Sequence, residues 1–188
     1  MKKLIAIGGN PATGKTTLMK KFMEGLNWER VEPRKLVVAM YNKEHDIYII
    51  GDYSDPEEKF PGLDRLSMAV QPEAIKFIKE TNSNVLFEGD RLFNSSFLES
   101  ALEIMDEVKI VILNTDKQLL TERHTQRQDT QSEKFLKSRE TKYDNIRTNF
   151  FLMDHIMELN NDDEKDKIAT VNWLRLELLT DDVIELIN

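Results

Sequence analysis

Gly9-Asn10-Pro11-Ala12-Thr13-Gly14-Lys15-Thr16 fits the pattern G-x-x-x-x-G-K-[ST] of a phosphate-binding loop. The run before it, 4–7 (Leu-Ile-Ala-Ile), is short and apolar, the length of a buried strand. After the loop, apolar residues stand at Leu18, Met19, Phe22 and Met23, which is helical spacing. A strand, a glycine loop and a helix in that order are the setting a working phosphate loop requires. The glycines let the backbone wrap an anion without side-chain clash. The loop's N–H groups and the positive end of the following helix attract it. The nucleotide contacts are therefore expected from Gly9, Asn10, Pro11, Ala12, Thr13, Gly14, Lys15, Thr16 and Thr17. Lys15 is expected at the outer phosphates and Thr16 at a Mg²⁺ ion, so a nucleotide triphosphate is implied.

Working outward, the remaining chain alternates strands and helices. Strands are expected at 36–41 and 46–50, joined by the polar turn 42–45, and such a short connection makes an antiparallel hairpin. Residues 28–34, with Pro33, read as a connector. Further strands are expected at 84–87, 108–113 and 155–159. Helices are expected at 72–80, from a cap at 94–96 through 105, at 116–127, at 132–151 and at 162–179. The last should bury Ile168, Val171, Leu174 and Leu178 on one face. The expected class is α/β, a P-loop NTPase with a mainly parallel five-stranded sheet flanked by helices, an added β-hairpin and a helical lid. With 188 residues, one domain over 1–188 is expected, its lid at about 116–150.

Composition narrows the function. The net charge of -8 argues against a general nucleic-acid coater, although basic residues gather between Arg123 and Arg147. There is no cysteine, hence no disulfide or thiolate metal site, and no apolar run approaches a membrane span. The basic and apolar start at 1–8 is too short for a signal peptide. A cytoplasmic setting follows as the expectation.

Ligands of open parallel sheets bind at the carboxyl ends of the strands. Beyond the loop, two such ends carry charge. One strand ends at Asp52, followed by Tyr53, and another at Glu88, Asp90 and Arg91. Phosphoryl transfer needs phosphate clamps, Mg²⁺, a carboxylate for the acceptor proton and cations against developing charge. Asp52 or Glu88 can take the proton, and Glu88 can instead hold the metal. Asp90 and Arg91 can bind the acceptor or a phosphate. Asp64-Arg65 lies in a long loop, where functional residues concentrate. Arg123 and Arg127, one helical turn apart, suggest with Arg139 a closing cationic lid.

This arrangement resembles the nucleoside and nucleotide kinase group of P-loop proteins. Asp90-Arg91-Leu92-Phe93-Asn94-Ser95 is similar to the D-R-[YFH]-x-x-S signature of thymidylate kinases, with Leu92 in place of the aromatic. The resemblance implies ATP, Mg²⁺ and a lid. A narrower one joins 62–68, 86–93 and the basic segment to bacteriophage-type kinases that phosphorylate 5-hydroxymethyluracil within DNA. It implies an acceptor of modified DNA, with a base flipped out of the duplex, in a host cell's cytoplasm. The other readings are a free deoxynucleoside or deoxynucleotide kinase, a small-metabolite kinase, and a P-loop ATPase switch with no acceptor. No membrane partner is expected.

Overall fold

The structure is a computed structural model that describes residues 1–58, 61–126 and 133–179. Its first strand, β1 (Lys3–Gly9), is buried from Leu4 to Gly9. That pattern belongs to a central strand covered on both faces. It lies between β5 (Asn84–Glu88) and β6 (Glu107–Asn114), parallel to both, with Ile5 opposite Leu86 and Lys109. Side chains alternate across the strand. Leu4 and Ala6 pack under α2 (Gln71–Glu80) and α3 (Ser95–Ile104). Ile5 and Ile7 pack under α1 (Lys15–Met23) and α6 (Glu164–Leu178).

The sheet has seven strands in the order β2-β3-β4-β5-β1-β6-β7. The five from β4 (Ile47–Ile50) to β7 (Ile156–Asn160) are parallel. β3 (Val37–Asn42) joins β4 antiparallel, as the hairpin reading expects. The difference lies one strand further out. Residues expected as a connector form β2 (Glu29–Arg34), antiparallel to β3. Its sequence, Glu-Arg-Val-Glu-Pro-Arg, has one β-branched residue and no alternation to read. An edge strand needs neither, and Pro33 is tolerated there because one side of the strand has no partner. The register shifts between Val31 and Arg34, around that proline.

Asn94 caps α3 by accepting from the Phe97 N–H, as expected. In α6 the buried face is Thr170, Val171, Leu174 and Leu178, and Ile168 is 44% exposed at its margin, so that expectation is corrected. The charged segment after β6 gives α4 (Lys117–Gln126) and α5 (Glu133–Arg147). Tyr143 and Ile146 of α5 are buried with Phe93 in the core beside the phosphate loop. Among the described residues no helix is long and apolar enough to cross a membrane.

Candidate active site

The phosphate loop connects β1 to α1 at the carboxyl edge of the sheet. Ala12 at φ 65° and Gly14 at φ 86° turn it back over its own strand. Gly14 leads into α1, which has no side-chain cap and no acidic residue in its first turn. The first N–H groups of that helix are thus left to an anion. Lys15 Nζ donates to the Gly9 carbonyl at 2.7 Å and the Asn10 carbonyl at 3.1 Å, folded over the loop. The buried Asn161, after β7, donates from Nδ2 to the Thr13 carbonyl at 2.6 Å. A Cβ on Gly14 would lie 2.5 Å from that same nitrogen. Arg123 spans the outer side of the loop. Its guanidinium donates to the carbonyls of Asp162 at 2.8 Å, Asn161 at 3.1 Å and Ala12 at 3.4 Å.

Four carboxylates lie at this edge of the sheet, three of them coupled to Lys15 of the loop. Glu88, at the end of β5, is buried and accepts from Thr16 Oγ1 at 2.9 Å and from the Tyr53 hydroxyl at 3.1 Å. Burial pushes its carboxyl up, against the pull of the Lys15 charge. The Thr16 hydroxyl and Glu88 carboxylate form an oxygen donor set of the kind Mg²⁺ takes when phosphates complete its shell. Among the described residues no group of three or more acidic or histidine side chains is placed to hold a metal ion.

Asp52 follows β4 and bridges to Gly62 across the loop mouth. One carboxylate oxygen accepts from the Ser54 hydroxyl at 2.6 Å and the Ser54 N–H at 3.1 Å. The other accepts from Arg30 Nε at 3.1 Å, with Arg65 Nη1 at 3.9 Å. Burial works to raise its carboxyl, but the Ser54 hydrogen bonds, Arg30 and Arg65 together hold it below the usual range. Asp90 is taken up by α5. It accepts from the Tyr143 hydroxyl at 3.0 Å and from Lys142 Nζ at 3.2 Å, and pairs with Arg139 Nη1 at 3.1 Å. Burial again opposes and loses to these cations, so its carboxyl is also lowered. Tyr143 reaches the Gly9 carbonyl as well, at 2.8 Å.

Asp64 differs. It sits on the single helical turn Leu63–Arg65, which begins at Gly62, φ 78°. Arg91 turns onto the backbone of this loop. It donates to the backbone carbonyls of Asp64 and Leu66 and so anchors this turn. The Asp64 carboxyl is raised, chiefly by desolvation, with Asp90 adding to this while Arg91, Lys15 and Arg139 oppose it.

The structure thus gathers Lys15, Thr16, Tyr53, Asp64, Glu88 and Asp90 into one network of hydrogen bonds and charge coupling, with Arg91 anchoring the turn that carries Asp64, and with Asp52 and Arg65 paired beside it. Arg123 lies on the far side of the phosphate loop, and Arg127 falls outside the described residues. The sequence reading missed Arg30, Lys142, Tyr143 and Asn161. Arg30 lies on the unforeseen β2, and Lys142 and Tyr143 carry no motif in a charged helix. Asn161 is one asparagine beside another, and only the packing of β7 against the loop singles it out. A cavity of about 330 Å³ adjoins the loop between β6, α4 and α5, lined by Asn10, Thr13, Thr115, Leu120 and Tyr143 among others.

Residues 1–155 match the protein family described as P-loop Nucleotide Kinase3. No curated protein matches the chain. Among solved structures, a sugar kinase from Janibacter sp. aligns over 96% of this chain and 99% of its own, with TM-score 0.54 and 11% identity. A shikimate kinase from Bacteroides thetaiotaomicron aligns over 94% and 98%, with TM-score 0.47 and 17% identity. A gluconokinase from Sinorhizobium meliloti aligns over 94% and 95%, with TM-score 0.47 and 15% identity. At these identities the sugar kinase speaks for the fold, and none of the three for the acceptor.

Proposed function

We propose, for a chain that belongs to the P-loop nucleotide kinase family, an ATP- and Mg²⁺-dependent transfer of the γ-phosphoryl group to a hydroxyl acceptor. The observation that carries this is the hydrogen bond of Thr16 Oγ1 to the buried Glu88, 2.9 Å, at the mouth of an uncapped helix N-terminus. It sets a metal-binding pair beside an anion site. Lys15 exchanges its loop carbonyls for the outer phosphates and neutralises charge as it develops. Thr16 and Glu88 would hold Mg²⁺, which would supply charge neutralisation to the phosphates. Arg123, at the outer side of the loop, adds a cation on the phosphate side.

The acceptor we name is a hydroxyl on a pyrimidine nucleotide, in its most specific form the 5-hydroxymethyl group of 5-hydroxymethyluracil in DNA. The resemblance at 86–93 and 62–68 supports it. One observation favours a second reading, a free small acceptor such as a deoxynucleoside or deoxynucleotide. Arg30, Arg65, Arg91, Arg139 and Lys142 on the acceptor side are all engaged by protein carboxylates or carbonyls, whereas a DNA backbone needs cations to spare. Incubation with γ-labelled ATP and either a 5-hydroxymethyluracil oligonucleotide or free nucleosides and nucleotides separates the two. Label on the oligonucleotide supports the DNA reading, and label only on free nucleotide removes it. ADP release that ignores every hydroxyl acceptor would instead make the chain an ATPase switch.

A further inference from the structure

We propose that Asp64, held by Arg91, is the carboxylate that takes the proton from the acceptor hydroxyl. The inference rests on the kinase reading above and adds to it the residue that activates the acceptor.

The argument is one of occupancy. A general base must have an oxygen open to the proton it abstracts. Both oxygens of Asp52 are engaged, by Ser54 on one side and the Arg30–Arg65 pair on the other. Both oxygens of Asp90 are engaged by the α5 side chains Arg139, Lys142 and Tyr143. Glu88 takes both Thr16 and Tyr53 on Oε1 and is set apart by its assignment to the metal pair rather than by occupancy of both oxygens. Of these four carboxylates, Asp64 is the one whose carboxylate oxygens accept no hydrogen bond and form no ion pair among the described residues. Only its backbone carbonyl is used, by Arg91. The residue is exposed, and its carboxylate is coupled electrostatically to Lys15 of the phosphate loop as well as to Arg91 and Arg139. Its position is fixed from three directions. Gly62 pairs with Asp52, Leu63 is buried, and Arg91 ties the carbonyls of residues 64 and 66. A base on a turn anchored in this way needs no reordering before reaction.

The step balances. The acceptor O–H proton passes to the Asp64 carboxylate as the acceptor oxygen bonds to the γ-phosphorus. The bond from that phosphorus to the β,γ-bridging oxygen breaks, and its electron pair leaves with ADP.

The test uses MgATP with water as the acceptor, so that no identified substrate is needed. ADP release, affinity for fluorescent mant-ADP and melting temperature are measured for the wild type, Asp64→Asn and Asp64→Glu. The expected result is a fall of about 100-fold or more in ADP release for Asp64→Asn. Its mant-ADP affinity should stay within about twofold and its melting temperature within about 2 °C. Asp64→Glu, which keeps the carboxylate, should recover part of the rate. Release by Asp64→Asn at the wild-type rate overturns the proposal, and so does a loss explained by lost mant-ADP binding. Failure of the kinase reading looks different: Lys15→Ala would then keep both mant-ADP binding and ADP release.

Discussion

At the scale of single residues, the phosphate loop makes the sharpest demands. Lys15 has two loop carbonyls as resident partners and can exchange them for phosphate oxygens. Lys15→Ala should lower turnover by at least about 100-fold while shifting the melting temperature by less than about 2 °C, since the ammonium contributes charge rather than core. Parallel ADP-release and thermal-melt measurements check this. Gly14 is constrained twice, by φ 86° and by Asn161 Nδ2 at 2.5 Å from any Cβ. Gly14→Ala should therefore cost about 1–3 kcal/mol in urea unfolding and weaken mant-ADP binding. Both effects come from forcing the loop off Asn161. The motif announces the glycine, but not the asparagine that fills the space its missing side chain leaves.

At the scale of elements, α5 joins two jobs. Its inner side contributes Tyr143 and Ile146 to the core, and its donor row of Arg139, Lys142 and Tyr143 closes on Asp90, two residues past the end of β5. Tyr143→Phe keeps the ring against Phe93 and removes only the hydroxyl that reaches Gly9 and Asp90. It should cost about 1 kcal/mol of stability, read from urea unfolding, because the carbonyl and carboxylate each keep another donor. Asp90→Ala removes the common anchor of the whole row. Amide exchange should then quicken in α5 around 139–143 more than in the strands. Equal protection in both proteins would show that apolar packing alone seats the helix. β2 teaches a related lesson. Its strand identity comes from pairing with β3, and through Arg30 it helps to hold Asp52 below the usual carboxylate range.

At the scale of the molecule, carboxylates dominate the response to pH. Asp52, Asp90, Glu158 and Glu177 all have lowered values in the fold, from ordinary values of 3.8 for aspartate and 4.5 for glutamate. A group lowered on folding adds stability that is fully present above its unfolded value and is lost as pH falls through its folded one. Asp64 and Glu88 are raised and act oppositely, their protonation relieving a cost. The lowered groups outnumber the raised ones. Urea midpoints should therefore hold between about pH 7 and 5 and decline below about pH 4. A midpoint that rises on acidification would show that the buried Glu88 outweighs the ion pairs.

The sequence by itself determined the parallel core, the phosphate loop and the strand-end acids. Each is written in local signals: apolar runs for strands covered on both faces, helical spacing, and glycines where the backbone must turn on an anion. It also placed Asp52, Glu88 and Asp90 at strand ends, which converge on one edge, and Asp64 in the long loop between them. What only the tertiary structure decided is how those acids divide the work. Their difference lies in partners distant along the chain: Arg30 on an edge strand, Lys142 and Tyr143 on α5, and Arg91 turned back onto the 64–66 backbone. A carboxylate's charge state and availability are set by the groups folding brings within hydrogen-bonding distance, and the order of residues along the chain does not specify those distances.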